Sequence, residues 1–167
     1  MKKTHWLLLL SGLIVVLIIN SCKKSGVSAI HQLFIGGTWQ LASVTASYYT
    51  GNSLDSTKIL NDSCQLTQFF TFTDNTCTYT NFDCISQAPP AASWSLASNQ
   101  LYLMTNIVCQ DTTAAKSSMP FSYAFIYNLG QFSLVLQTGD IQPNYSLTKK
   151  RKIIEYGFIR QKLSGAD

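Results

Sequence analysis

The stretch Gly37-Thr38-Trp39-Gln40-Leu41 opens the first of several short runs that are rich in aromatic and β-branched residues. Apolar and polar side chains alternate along it, which is the two-residue period of a half-buried β-strand. Gly37 allows the backbone to turn closely into the strand, and Trp39 supplies a large apolar ring for a β core. The sequence therefore predicts that the folded domain begins at about Gly36.

Seven further runs of similar composition follow, separated by turn residues, and such aromatic and β-branched runs favour strands. Short links that tolerate positive φ or bond locally predict hairpins at Asp74-Asn75, Ser98-Asn99 and Leu129-Gly130. The predicted strands are Thr38–Tyr49, Cys64–Thr73, Thr76–Asp83, Ala92–Ala97, Gln100–Val108, Phe121–Asn128, Gln131–Thr138 and Ile153–Lys162. The longer loops are expected at Thr50–Ser63, Cys84–Ala91, Gln110–Pro120 and Gly139–Lys152.

Eight sequential antiparallel strands favour an all-β, up-and-down barrel, because closure of the sheet removes its exposed edges. Alternation along each strand assigns its more apolar face to the interior. An eight-stranded barrel is just wide enough to be filled by side chains or to hold one small ligand. The candidate cavity-lining residues are Leu41, Phe70, Phe72, Tyr79, Trp94, Leu103, Tyr123, Phe125, Tyr127, Leu134, Tyr156 and Phe158.

The first 21 residues have the features of an export signal. Lys2 and Lys3 are basic, and the apolar run Trp6 to Ile19 is too short for an ordinary membrane span. The run leads into Ile19-Asn20-Ser21-Cys22, which resembles the lipobox of bacterial lipoproteins; the alternative is an uncleaved anchor helix. The resemblance implies cleavage before Cys22, acylation of Cys22 and attachment to a membrane through the lipid. The expected division is a signal peptide at 1–21, a lipidated tether at 22–35 and a barrel domain at 36–167.

Four segments spread over nearly the whole domain carry a family resemblance: Gly37–Leu41, Phe70–Thr76, Ser93–Leu96 and Tyr156–Arg160. In this order they resemble the Gly-x-Trp, Phe-x-Phe-x-Asp-Gly-Thr, Gly-Thr-Trp and Arg-ending strands of lipocalins and of the lipocalin-like lipoproteins of Bacteroidetes. Asn75 departs from the usual glycine and Ser93 from the usual threonine. The resemblance implies that Arg160 packs over Trp39, so that Gly37, Trp39 and Arg160 form a structural barrel floor. The alternative is that Arg160 receives an anionic ligand.

Four cysteines lie after the lipidation site, and an even number in an exported domain favours disulfides. Pairing about the Asp74-Asn75 turn brings Cys64 and Cys84 almost opposite each other, which predicts a bridge between them. Cys77 and Cys109 are left over, so a second bridge follows only by elimination. No Cys-x-x-Cys pair is present and no histidine lies near the cysteines, so no metal site is expected.

The charge balance argues against a nucleic-acid partner. The chain has 12 basic and 8 acidic residues, and two of the lysines leave with the signal, so the mature excess is only two. The basic run Lys149-Lys150-Arg151-Lys152 is expected in a loop before the last strand, as a solvated segment or in contact with anionic lipid headgroups.

Catalysis is not expected. His5 and His31 fall in the signal and the tether, so the predicted domain lacks the commonest general base. No two carboxylates are placed as an acid–base pair, and no nucleophile elbow or phosphate loop is present. The sequence therefore assigns no catalytic residue and no cofactor.

Two functions remain. The first is a lipid-anchored envelope protein whose barrel holds a small hydrophobic or amphipathic molecule. The second is a structural or protein-interaction lipoprotein with a side-chain-filled barrel or β-sandwich, whose protein partner the sequence does not name. Residues 23–26 lack an acidic run resembling a surface-export signal, which predicts an outer-membrane location facing the periplasm.

Overall fold

The structure is a computed structural model that describes residues 28–110 and 117–161. The predicted signal peptide, the lipidation site at Cys22 and residues 23–27 of the tether lie outside the described residues, as does the expected strand end at Lys162. Within the described ranges the chain forms one α-helix, one short 3-10 turn at Phe82–Cys84 and eleven strands. These elements are α1 (Ala29–Ile35), β1 (Thr38–Thr50), β2 (Ser53–Ile59), β3 (Phe69–Phe72), β4 (Thr76–Tyr79), β5 (Ala91–Leu96), β6 (Tyr102–Thr105), β7 (Cys109–Gln110), β8 (Ser117–Ser118), β9 (Ala124–Leu129), β10 (Ser133–Gly139) and β11 (Lys150–Gln161).

Eight of these strands form a closed antiparallel barrel. They follow each other around it in chain order, as β1, β3, β4, β5, β6, β9, β10 and β11, and β11 pairs back onto β1. The closing pair matches Trp39 with Arg160 and Val44 with Tyr156. The prediction of an all-β, eight-stranded up-and-down barrel is therefore confirmed. Strands β7 and β8 form a separate two-stranded sheet in a region predicted mainly as a loop.

Three predicted strands are shorter in the structure, because other interactions replace ladder pairing at their ends. The predicted strands Cys64–Thr73, Thr76–Asp83 and Gln100–Val108 contract to β3, β4 and β6. Asn81 (φ 53°) follows β4 and Gln100 (φ 57°) precedes β6, and both adopt the left-handed conformation, which interrupts an extended strand. After β6, the side chain of Asn106 accepts a hydrogen bond from the Ser93 amide, at 2.8 Å.

The prediction of a loop over Thr50–Ser63 is wrong, because this segment contains strand β2. Its sequence, Ser-Leu-Asp-Ser-Thr-Lys-Ile, shows little apolar alternation, and all seven residues are exposed. It forms because β1 is 13 residues long but pairs with β3 only over Thr38–Gln40, which leaves the rest of that edge free. After a turn at Gly51, β2 pairs with this free edge. We call β2, Thr45–Thr50 of β1 and Lys150–Glu155 of β11 the ribbon.

Helix α1 replaces the C-terminal half of the predicted tether. Ser28 caps it, because its side-chain oxygen accepts from the amides of Ile30 (3.2 Å) and His31 (3.4 Å). The helix forms because Phe34 has a place to bury its ring: Phe34 is fully buried, with Phe72 at 5.0 Å between ring centroids. No helix in the described part of the chain is long and apolar enough to span a bilayer.

Most of the predicted interior side chains are buried, which supports the predicted strand faces. Leu41 packs against this core from a partly buried position. The buried members of the predicted set are Phe70, Phe72, Tyr79, Trp94, Leu103, Leu134, Tyr156 and Phe158.

The prediction that Tyr123, Phe125 and Tyr127 line the interior is wrong. Tyr123 is 42% exposed and Tyr127 is 63% exposed, whereas Ala124 is fully buried. Phe125 packs against Tyr102 on the outer face of the sheet, at 5.4 Å between ring centroids. The prediction extended a two-residue alternation through Tyr123, but this residue lies in the turn before β9. The strand itself starts at Ala124, so Ala124 and not its neighbours points inward.

Candidate functional site

One end of the barrel is sealed by α1, Trp39 and Arg160, and we call it the closed end. Trp39 is fully buried, and its Nε1 donates a hydrogen bond to the Phe34 carbonyl at 3.1 Å. The guanidinium carbon of Arg160 lies 4.5 Å from the centroid of the Trp39 ring, so the predicted contact is present. Arg160 also donates to the carbonyls of Leu33 and Gly36, which lie at the end of α1. Its guanidinium is therefore engaged by the floor and the helix.

Gly36 and Gly37 let the Arg160 side chain cross the backbone at the closed end. A Cβ on Gly36 would lie 2.8 Å from Nη1 of Arg160, and a Cβ on Gly37 would lie 3.2 Å from its Cγ. Both approaches are closer than ordinary van der Waals contact. Gly37 is thus placed where the sequence predicts, because a larger residue would displace Arg160 from Trp39.

Aromatic rings fill the barrel above this floor. Phe121 is the centre of the cluster, with Phe70 at 4.9 Å, Tyr79 at 5.5 Å and Tyr156 at 4.9 Å between ring centroids. Phe158 lies 6.1 Å from Phe70. Alternation along the predicted strand Phe121–Asn128 places Phe121 on the inner face, and its full burial confirms that placement. The middle of the barrel is therefore packed with side chains.

At the opposite end, which we call the mouth, the structure contains a cleft of about 240 Å³. This mouth cleft lies where Val44 of β1 faces Tyr156 of β11. Its lining combines apolar and polar groups around a disulfide. The lining residues are Val44, Leu60, Asn61, Ser63, Cys64, Gln68, Phe82, Asp83, Cys84 and Tyr156.

The disulfide predicted between Cys64 and Cys84 is present, with 5.6 Å between the two Cα atoms. It joins the segment before β3 to the 3-10 turn after β4, beyond the last paired residues of that hairpin. The bridge holds two segments that line the mouth cleft, so it fixes the shape of one wall.

The turn next to the bridge has an unusual backbone. Asn81, Asp83 and Cys84 have φ of 53°, 52° and 64°, in the left-handed region that non-glycine residues seldom adopt. The Asn81 side chain helps to hold it by donating to the Thr67 carbonyl at 2.9 Å. Conformations of this kind persist only where the surroundings impose them, and they cluster at binding sites. Here they direct Phe82 and Asp83 toward the cleft.

Polar groups converge below the cleft. The Tyr79 hydroxyl donates to Oε1 of buried Gln68 at 3.2 Å, and Nε2 of Gln68 donates to the Cys64 sulfur at 3.4 Å. Burial, followed by the nearby charges of other acidic groups, raises the pKa of both Tyr79 and Tyr156 well above the ordinary value. Both phenols are therefore neutral near pH 7 and keep their O–H donors.

The second predicted bridge, between Cys77 and Cys109, is not formed, because both side chains are free, buried thiols. Cys77 is 1% exposed and Cys109 is fully buried, so each packs as a small apolar residue. The pKa of each thiol is raised to about 12, by burial in both cases and, for Cys77, also by the neighbouring Cys109. The predicted pairing of Cys77 with Cys109 assumed that every cysteine forms a bridge, but a buried thiol can also pack in the core without one.

His31 is not at the mouth. Its ring stacks on Trp94 at 4.9 Å, and Nε2 lies 3.1 Å from the Asp74 carbonyl oxygen at the closed end. Within residues 28–110 and 117–161, no three His, Cys, Asp or Glu side chains are grouped so that they could hold a metal ion. The absence of catalysis and of a cofactor stays a prediction.

Comparison with known protein families found no matching family model, and no curated protein matches the chain. The fold itself places the chain among closed eight-stranded antiparallel β-barrels, which is consistent with a lipocalin-like fold.

Proposed function

We propose that this chain is a lipid-anchored lipoprotein of the bacterial cell envelope whose lipocalin-like barrel binds a small hydrophobic or amphipathic molecule without catalysing a reaction. The mouth cleft carries the proposal. It combines apolar walls from Val44, Leu60 and Phe82 with a few convergent polar groups, which is the usual composition of a small-molecule site.

The position of the cleft suits a ligand that binds at the end of the barrel. Rings around Phe121 occupy the interior, so the ligand would rest on them instead of entering the lumen. Beneath the cleft, the Tyr79 hydroxyl already donates a hydrogen bond to the side-chain oxygen of Gln68. A ligand would therefore gain mainly from apolar contact, at about 25 cal/mol per Å² of apolar surface removed from water.

Lipid attachment at Cys22 would orient the mouth away from the membrane. Helix α1 lies at the closed end and begins at Ala29, seven residues after Cys22. Seven residues span at most about 25 Å when extended, so the closed end would stay near the bilayer. The mouth would then open toward the periplasm, in the outer-membrane orientation that we propose.

Filling the mouth cleft should remove the ligand. We expect Leu60→Trp to place an indole between Val44 and Phe82 and to reduce the apolar compounds that co-purify with the full-length protein. Native mass spectrometry measures this against Leu147→Trp, a control at a side chain that is 71% exposed. The control should bind as the wild type does and change stability by only about 0.5 kcal/mol. Equal ligand occupancy in both variants would refute binding in the cleft.

Acylation should depend on Cys22. We expect Cys22→Ser to lose labelling by a fatty-acid analogue and to lose the lipid-dependent part of its membrane association, because the acyl chains supply that anchor. Lys23→Gln, which keeps the cysteine, is the matched control. Unchanged labelling of Cys22→Ser would contradict the lipoprotein assignment. Protease added to whole cells should leave the domain intact, and its removal would indicate surface exposure instead.

A second function, a packed interaction barrel, is favoured by the filled interior and by aromatic rings on the outer face. Tyr102 stacks on Tyr123 at 4.4 Å, and Phe125 lies beside them. Aromatic side chains are enriched in protein interfaces. If no compound co-purifies and Leu60→Trp changes nothing but local packing, this function replaces the first.

A further inference from the structure

The inner face of the barrel continues into the ribbon beyond the mouth. Paired residues of antiparallel strands have their side chains on the same face, and this face repeats every second residue. From the mouth outward, the β1–β11 pairs on this face are Val44 with Tyr156, Ala46 with Ile154, Tyr48 with Lys152 and Thr50 with Lys150. The face therefore changes from apolar to basic as it leaves the barrel.

Strand β2 adds a third lysine to the same face. Lys58 pairs with Ala46, and Leu60, two residues further along the chain, lines the mouth cleft. Lys58, Lys150 and Lys152 are all exposed. Each two-residue step along a strand covers about 6.7 Å, so Lys152 lies about 13 Å beyond Tyr156. The cleft and the three lysines thus form one continuous surface.

The outer face of the ribbon is covered around Arg151, whereas Leu54 and Ile59 of β2 on the same face are exposed. Arg151 is 9% exposed, and its guanidinium carbon lies 3.4 Å from the centroid of the Tyr145 ring. Arg151 also donates to the Gly51 carbonyl at 2.9 Å and to the Asp140 carbonyl at 3.4 Å. These contacts tie the neighbouring turns to the outer face and hold the ribbon in place.

Two carboxylates, Asp55 and Asp140, lie beside Lys150 and Lys152 and are held by hydrogen bonds from neutral donors. Asp140 accepts from the Lys152 amide at 3.0 Å, and Asp55 accepts from the Thr50 hydroxyl at 2.7 Å. The ammonium group of Lys152 lies 5.8 Å from the centroid of the Tyr48 ring, on the inner face of the ribbon. Lys58, Lys150 and Lys152 outnumber these two carboxylates, so the surface keeps a net positive charge and presents aliphatic and aromatic groups beside it.

We propose that the ligand is an anionic amphiphile, with its apolar part in the mouth cleft and its carboxylate or phosphate head at Lys58, Lys150 and Lys152. This inference rests on the proposed function, because it names the ligand class of the same cleft. A membrane surface fits less well, since the ribbon lies at the end opposite α1 and the proposed lipid. The basic run predicted as a loop thus lies largely in β11, where it has a defined face.

Photo-crosslinking with two probes of equal chain length tests the inference. The full-length lipoprotein, in nanodiscs of phosphatidylcholine, is irradiated with diazirine-bearing dodecanoic acid or with the uncharged glycerol ester of the same acid. We expect the acid to label peptides containing Leu60, Phe82 or Tyr156 more strongly than the ester does. Lys150→Gln/Lys152→Gln should lower labelling by the acid about fivefold or more, from two exposed charge pairs, and leave labelling by the ester unchanged. Lys149→Gln, a charge loss in the preceding loop, is the control and should keep wild-type labelling.

The possible outcomes distinguish failure of the inference from failure of the proposed function. Equal labelling by both probes in the wild type would overturn the anionic head and keep the cleft as a binding site. No cleft labelling by either probe would overturn both proposals. Adducts confined to the ribbon would indicate adsorption of the acid to basic side chains and would also overturn the inference. Competition by unlabelled dodecanoate or dodecyl phosphate supports it and distinguishes the two head groups, whereas failure of both to compete overturns it.

Discussion

Replacing Trp39 with alanine should destabilise the domain by about 3–5 kcal/mol, the range for removing a fully buried aromatic side chain. The indole is completely buried, and its loss leaves a cavity at the closed end and an unpaired Phe34 carbonyl. Urea denaturation followed by circular dichroism measures the free energy of unfolding. Ile159→Ala, at a side chain that is 48% exposed on the neighbouring strand, is the control and should cost much less.

The same experiment extends to Arg160. Arg160→Ala should cost less than Trp39→Ala, because the arginine is only partly buried. Arg160→Lys should recover part of the loss, since lysine cannot stack a planar group on Trp39 or reach two carbonyls at once. The losses of Trp39→Ala and Arg160→Ala should be non-additive, because the two side chains share one contact. Additive losses would mean that the contact contributes nothing to closure of the barrel.

Removing the Cys64–Cys84 bridge should cost roughly 3 kcal/mol in the chain-entropy model, because the bridge closes a loop of 20 residues. We expect Cys64→Ala/Cys84→Ala to unfold at lower urea concentration and to lose ligand, since both residues belong to the mouth cleft. Gln65→Ala, at an exposed residue beside the bridge and outside the cleft lining, is the matched control and should behave as the wild type. Non-reducing peptide mapping that joins Cys64 to Cys77 would refute the pairing on which this expectation rests.

Much of the architecture follows from local sequence patterns. Alternation from Trp39 onward predicts strands, and the turn at Asp74-Asn75 sets the register that brings Cys64 and Cys84 together. The resemblance of the Gly-x-Trp segment and of the closing strand to those of lipocalins implies a contact between Trp39 and Arg160, and the barrel provides it. These features succeed because each depends on a short stretch, or on two stretches that the same closure brings into contact.

The failures have one physical cause, which is that side-chain direction and edge pairing depend on distant neighbours. Tyr123, Phe125 and Tyr127 were placed inside because their spacing is regular, but the phase of β9 is set by where Ala124 and Ile126 meet the core. The sequence left Cys77 and Cys109 as the remaining pair for a second disulfide, but both are free thiols in the core.

By itself, the sequence determined that the chain folds as an antiparallel barrel with a bridged hairpin, and its resemblance to lipocalins implied the tryptophan–arginine closed end. Only the tertiary structure decided that α1 covers that end, that rings fill the interior and that a cleft remains at the mouth. It also decided that β11 extends back to Lys150 along β1 and that β2 pairs with the free edge of β1, so that Lys58, Lys150 and Lys152 share one face of the ribbon. A two-residue period specifies which side chains share a face, but only the packing of distant strands specifies what that face meets.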